Sequence, residues 1–462
     1  MSEERLERAI RDALLRDEPG PLPERLRTRV GTIANGRDQH RWHFAVGIRL
    51  TGALLVMLTL VAAVGLAAAT LPHNRAAGPA ASAMPSAAPA SVEPTPTATS
   101  PSPLPHSPRP AASVWSRVQF GGMAPGPLII AGSKLVLVTN PATATGGAHP
   151  TLWSSSDGTT WQRLADSAVL GAPGNGSVRI LGLGSKDGGL VAVGAHMNAD
   201  ATAAVAEAWT SPDGKTWTQA VVAGAADATM NLVYAGPHDF VAIGTGRYSL
   251  RANRTAGIAV WTSPDGARWT RLPESEVPAG VAIASVAAGA GRYVAVGQAI
   301  APGGSPTADE SPVWTSADGV HYAMLTKAGS PPPDAGLLDV IWTGSTFVAV
   351  GSEQTSGASV WESPDGLTWH STELPAVGAV QARGSAICRG TAGFFAVGTI
   401  ADASGNLGGA AWTSPDGQGW TRLPVSGLQN ASLSSALCFE GRVLVEGQDM
   451  GTGASELWLA TP

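Results

Sequence analysis

The stretch "AWTSPDGKTW" (208–217) returns as "VWTSPDGARW" (260–269) and "AWTSPDGQGW" (411–420), each with a tryptophan near both ends. Six copies are recognisable, with first tryptophans Trp153, Trp209, Trp261, Trp314, Trp361 and Trp412 and closing aromatics Trp161, Trp217, Trp269, Tyr322, Trp369 and Trp420. A second phrase recurs between them: "LVAVG", "FVAIG", "YVAVG", "FVAVG" and "FFAVG", ending at Gly194, Gly244, Gly297, Gly351 and Gly398. A weaker "VLVEG" ends at Gly447, and "LVLVT" around Val136 opens the series. A repeat of about 50 residues, rich in strands and turns, is the mark of a propeller or a solenoid. Short apolar runs such as "FVAVG" read as buried strands. The 57 glycines, 35 prolines and 14% charged residues suit many short strands joined by turns better than they suit helices.

Turn chemistry explains the phrase. In "WTSPDGKTW", Pro212 and Asp213 fit the central positions of a type I turn, and Gly214 takes the left-handed conformation that follows. A three-residue Pro-Asp-Gly loop sets Trp209 directly opposite Trp217 across a hairpin. The carboxylate would tie down free backbone N–H groups in the turn. Asp157, Asp213, Asp265, Asp318, Asp365 and Asp416 are therefore read as structural turn residues.

The repeat count closes the ring. The chain ends "ELWLATP", with Trp458 and no turn after it, whereas "SVWSRV" with Trp115 resembles the second half of the phrase. The seventh hairpin is thus expected to be split, its outer strand coming from the start of the domain, with Trp115 facing Trp458. A split repeat is what closes a propeller and removes its free edges, and a solenoid has no use for one. The expected fold is an all-β, seven-bladed β-propeller over 113–462, closed by a split last blade.

Three segments precede it. From Leu50 to Leu71 the chain runs 22 residues without a charge, about the length needed to span a membrane as a helix. Arg37, Arg41 and Arg49 before it, against Arg75 after it, place residues 1–49 in the cytoplasm and the propeller outside the cell. Residues 1–49 carry two short amphipathic patterns, Leu6/Ile10/Leu14 and Leu26/Val30/Ile33, which read either as a solvated, partly helical tail or, over 1–40, as a docking segment for a cytoplasmic partner. Residues 72–112, rich in Pro, Ala, Ser and Thr, read as a disordered linker.

The hairpins resemble the Asp-box of bacterial neuraminidase (BNR) repeats, Ser-x-Asp-x-Gly-x-x-Trp. This chain has Ser-x-Asp-Gly-x-x-Trp, as in Ser263, Asp265, Gly266 and Trp269, one residue shorter between Asp and Gly. The chain is similar to the secreted or membrane-anchored "WTSPDGxxW" propellers of high-GC bacteria. The resemblance implies a box at the blade periphery, away from any active centre. It also brings sialidase into view, with six blades, an arginine triad and a glutamate-activated tyrosine. A Phe-Arg-Ile-Pro-type segment is absent here, and the four tyrosines (Tyr234, Tyr248, Tyr293 and Tyr322) fall in strands, in the motif itself and in one loop.

Candidate ligand residues lie in the loops between the second and third strands of each blade, because loops on a rigid scaffold carry binding. The blade-three loop offers Arg247, Tyr248, Arg251 and Arg254 to an anionic or glycan ligand, or else forms a solvated basic loop answering Asp309 and Glu310. His149 and His196 occupy corresponding loops without a third ligand, so no metal and no cofactor is expected. Cys388 and Cys438 sit at matching positions in adjacent blades. They form either a disulfide or two buried small residues, since equivalent side chains around a ring need not face each other. Over 113–462 there are 26 acidic residues against 17 Lys and Arg, which sets nucleic acid aside as a partner. The expected function is non-catalytic binding of a protein or a cell-surface glycan by a membrane-anchored propeller. The alternatives are a transmembrane sensor signalling through its cytoplasmic segment and a sialidase-like glycoside hydrolase.

Overall fold

A computed structural model describes residues 115–460 except 122, 142–148, 165–169, 172–175, 199–202, 237–239, 247–256, 279–280, 300–312, 327–330, 332–334, 354–356 and 377. The chain divides into two compact units, Met1–Thr99 and Ser100–Pro462, and all described residues belong to the second.

That unit folds into seven sheets, one per blade, each built mainly from antiparallel chain neighbours. Blades one to six run from 123 to 163, 177 to 219, 228 to 271, 281 to 324, 336 to 373 and 381 to 422. Blade seven combines Ala431–Phe439, Arg442–Asp449 and Ser455–Ala460 with Trp115–Val118, which pairs antiparallel to Ser455–Ala460 as the outermost strand. Blade three gains a fifth strand, Val221–Val222, parallel to Arg268–Arg271.

The "VAVG" phrase forms the second strand of its blade, and its glycine is there for a close approach. In blades two to seven the innermost strand bulges opposite it, for example between Ile180 and Gly182. A Cβ at Gly194, Gly244, Gly297, Gly351, Gly398 or Gly447 would collide with an inner-strand carbonyl oxygen. Blade one has Thr139 at this position, and its bulge skips two residues, 126–127, instead of one. The residues before the glycine alternate between the two neighbouring blades. Val348 and Val350, for instance, pack with Ile387, Ala396 and Trp412 of blade six. The core is therefore a ring of inter-blade seams. Polar ties cross these seams as well. Asn140 of blade one donates to Ile180 O and accepts from Ile180 N, both at 3.0 Å. Asp339 of blade five accepts from Ser285 Oγ of blade four at 2.8 Å and from Ile387 N of blade six at 3.0 Å.

The hairpin register differs from the one read off the turn. Trp209 pairs with Gln219 and Thr210 with Thr218, so Trp217 lies outside the ladder, two residues before the partner of Trp209. The reason is in the turn. Asp213 Oδ1 accepts from Lys215 N at 2.8 Å and Thr216 N at 2.7 Å, while Ser211 Oγ accepts from Gly214 N at 2.8 Å. These bonds consume the N–H groups that a tight ladder would have used. Gly214 has φ +73°, and Trp217 Nε1 donates to Gly214 O at 3.0 Å. The same Asp-to-backbone pair recurs at Asp157, Asp265, Asp318, Asp365 and Asp416.

The closing pair is shifted in the same way. Trp115 faces Ala460 and Arg117 faces Trp458, yet the sheets number seven. Cys388 and Cys438, on the inner strands of blades six and seven, form a disulfide with Cα atoms 5.5 Å apart.

The expected placement across a membrane does not hold. Among the described residues no helix is long and apolar enough to cross one; the helix they contain is a 3-10 turn, Glu274–Glu276. The segments 1–49, 50–71 and 72–112 lie outside the described residues. The run 50–71 is free of charge, but half of it is Ala, Gly or Thr, which escape charge without the hydrophobicity of Leu or Ile. The single-pass topology, with a cytoplasmic N-terminus and an extracellular propeller, therefore does not stand.

Candidate functional site

The basic loop proposed from sequence, Arg247, Tyr248, Arg251 and Arg254, lies outside the described residues. The six turn carboxylates are each spent on their own turn. Backbone N–H donors, led by Thr216 for Asp213, Ala267 for Asp265, Thr368 for Asp365 and Gln418 for Asp416, hold these groups below the usual carboxylate range. His149 Nδ1 lies 3.3 Å from Pro150 O, and His196 Nε2 is buried without a hydrogen-bond partner. Among the described residues no group of three His, Cys, Asp or Glu is placed to hold a metal.

Asp339 and Glu446 are half-buried carboxyls outside the turn pattern. Burial pushes Asp339 up, against the hydrogen bonds from Ile387 N and Ser285 Oγ. Glu446 takes the place that Val193, Ile243, Val296, Val350 and Val397 hold in other blades. Its Oε1 is sealed from solvent without a partner, and burial pushes the carboxyl up to about 8.

The feature with the geometry of a binding site is at the seam between blade seven and blade one. In six blades both motif aromatics are buried, with 8% exposure or less from Trp209 to Trp458 and Trp115. In blade one both Trp153 and Trp161 are only half-buried. They line a cleft of about 460 Å³ together with Arg117, Gln119, Phe120 and Thr159. Phe120 meets both indoles edge-on, with ring centroids 5.3 Å from Trp153 and 5.7 Å from Trp161.

The cause is the length of a connector. Between an outermost strand and the next blade's innermost strand the chain has 7 to 13 residues elsewhere, but only four, 119–122, between Val118 and Met123. In blades three and six this connector lies over the blade's first motif tryptophan and accepts its N–H. Trp261 Nε1 donates to Ala223 O at 3.0 Å and Trp412 Nε1 to Pro375 O at 2.8 Å. Trp153 has no such cover and donates within its own blade, to Thr139 Oγ1 at 2.9 Å. Trp161 Nε1 donates to Gly158 O at 3.0 Å. Both indoles therefore offer a ligand their faces and not their N–H groups.

Donors come from the other wall. Arg117, with 43% of its side chain exposed, reaches Glu456 at 2.8 Å and Asp449 at 3.5 Å and also lines the cleft. Gln119 is exposed beside it. The residues lining the cleft include no carboxylate. Such a lining recognises flat apolar groups that carry hydrogen-bond acceptors.

No protein-family profile matches the chain, and no curated protein matches it either. Solved structures do resemble it. YCF48 bound to D1 peptide is 15% identical over 75% of this chain and 94% of that one, with a TM-score of 0.47. The Penicillium chrysogenum α-L-arabinanase complexed with arabinobiose is 13% identical over 76% and 98%, TM-score 0.40. The Pyrococcus horikoshii acylaminoacyl peptidase is 10% identical over 73% and 51%, TM-score 0.45. At these identities the likeness concerns the fold alone.

Proposed function

We propose that the chain is a non-catalytic binding module, a propeller over 113–462 whose turns are a shortened Asp-box and whose ligand site is the cleft of Phe120, Trp153 and Trp161. The observation that carries this reading is the exposure of one motif tryptophan pair where every other blade buries its own. Leaving two indoles partly in water forgoes apolar burial worth about 25 cal/mol per Å². An open aromatic patch rimmed by polar groups is the usual look of a binding surface. The ligand class is a peptide or a glycan. Arg247, Tyr248, Arg251 and Arg254 are proposed as a separate contact for an anionic group.

The test is oxidative footprinting of the full-length protein against panels of immobilised and soluble peptides and glycans, read at Trp153 and Trp161. Ser116→Trp, at an exposed strand position lining the cleft, fills the site without touching the core. Ligands that protect the two tryptophans and are lost in Ser116→Trp support the reading. Ligands bound equally by both proteins would place binding elsewhere.

A further inference from the structure

The cleft runs beside Trp115–Val118, the first strand of the described chain, and the residues immediately before that strand read "SPSPLPHSPRPAASV" (100–114). Resting on the cleft as the binding site, we infer that its occupant is a proline-rich extended segment, supplied by the chain's own residues 100–110. Those residues lie outside the described ones, so their sequence alone enters the argument.

Chemical fit is the first support. A proline-rich stretch favours the polyproline II conformation, which presents ring faces and carbonyl acceptors and loses little entropy on docking. Aromatic grooves take such segments by packing prolines between ring faces while side-chain donors reach the carbonyls. The cleft matches on both counts. The indole N–H groups of Trp153 and Trp161 are already engaged, so their rings act as walls. Arg117 and Gln119 supply donors. A glycan fits less well, because its hydroxyls need acceptors as well as donors and the lining has no carboxylate.

Reach is the second support. From Pro105 to Ser116 is a separation of 11 residues, roughly 35 Å when extended, ample for the segment to double back along the strand it precedes. A tether of this length holds the segment at an effective concentration of the order of mM. Even a modest intrinsic affinity then keeps the site filled. Charge does not oppose docking: residues 100–110 carry a single formal charge, Arg109, and the nearby Asp449 and Glu456 are acidic.

The consequence is a self-occupied site, which an external proline-rich ligand enters only by displacing the chain's own segment. The experiment uses full-length protein, wild type and a variant with Pro101, Pro103, Pro105, Pro108 and Pro110 all changed to Ser, which leaves every propeller residue intact. Oxidative footprinting reads Trp153 and Trp161, with Trp209 as a buried control. The expected result is about tenfold faster oxidation of the two cleft tryptophans in the proline variant. A free peptide of sequence SPSPLPHSPRP should restore protection in that variant, and fail to do so once Ser116→Trp is added. Equal oxidation in the two proteins would overturn the inference. So would a variant cleft that takes other ligands of the panel but not this peptide, and in that case the binding reading itself stands. A dimer of the wild type that dissociates on the proline changes would show exchange between two copies and overturn the intramolecular assignment.

Discussion

Blade seven and the other six blades solve one problem by different means. In six blades a covalent turn joins the third and fourth strands, and its Asp and Ser impose a two-residue offset, so that Trp153, Trp209, Trp261, Trp314, Trp361 and Trp412 pair with Arg163, Gln219, Arg271, Met324, Ser371 and Arg422. In blade seven no turn joins the strands, yet Trp458 pairs with Arg117, two residues past Trp115. The offset therefore does not need the turn. It places both aromatics of a pair in the seam with a neighbouring blade, and that packing is strong enough to set register between strands from opposite ends of the domain. The turn makes local what the seam already demands. Closing the ring this way has one further consequence. The strand that closes blade seven continues directly into blade one, and its four-residue connector is too short to cover Trp153.

The sharpest test of this comparison is Trp115→Ala set against Trp217→Ala, equivalent positions in the split and the linked hairpin. Both side chains are buried, and each loss should cost about 3–5 kcal/mol. The Trp115 variant should fall at the upper end, because its strand has no turn to hold it once the aromatic is gone. Urea midpoints measure the difference, and equal midpoints would mean that the closing strand is held no differently from the rest.

Next in size is the disulfide between blades six and seven. Replacing Cys388 and Cys438 by Ala should lower stability by about 2–4 kcal/mol, as for a bridge enclosing a loop of this size, the two cysteines lying 50 positions apart. Thermal melts of wild type with and without reductant should bracket the same loss. A melt indifferent to reductant would show that the bridge adds nothing to the seam.

Glu446 offers a pH-dependent probe of the seam that closes the ring. Its carboxyl is raised in the folded state to about 8, above the ordinary value of 4.5. A raised carboxyl favours folding fully below the unfolded value, and this contribution is lost as pH rises toward 8. Glu446→Val, restoring the residue type of other blades, should therefore match wild type near pH 4 and exceed it increasingly toward pH 8. Denaturation midpoints across that range decide it; a pH-independent difference would locate the effect in packing alone.

The smallest effect is expected from the turns. The carboxyls of Asp213, Asp265, Asp365 and Asp416 are depressed by backbone donors, so their contribution is present above about pH 4 and is lost as pH falls through their lower folded values. Amide exchange at Lys215 and Thr216, corrected for intrinsic rates, should accelerate below that pH, while the turnless pairing of Arg117 with Trp458 in blade seven changes less. Uniform acceleration across all seven blades would indicate global unfolding and remove the contrast.

Much of the architecture was legible because it is written in repeats. The "VAVG" glycines could be read as strand ends, and the structure supplies the reason they are glycine, a bulge that leaves no room for Cβ. The hairpin register was misread because the turn was treated as a backbone template, whereas Asp213 and Ser211 capture three N–H groups and lengthen the loop. The aromatic cleft was missed, although a trace of it is in the sequence. From Trp115 to the end of "LVLVT" is 24 residues, where the equivalent spans run from 27 to 33. That deficit is the missing connector.

The number of repeats, the turn residues and the need for a strand from the start of the domain all follow from the sequence, because each is a local or periodic property of the chain. The two-residue offset, the meeting of Cys388 with Cys438 and the uncovering of Trp153 and Trp161 were decided by tertiary structure. Each depends on how far one blade stands from the next, a distance set by side chains packing across seams between residues remote in the chain.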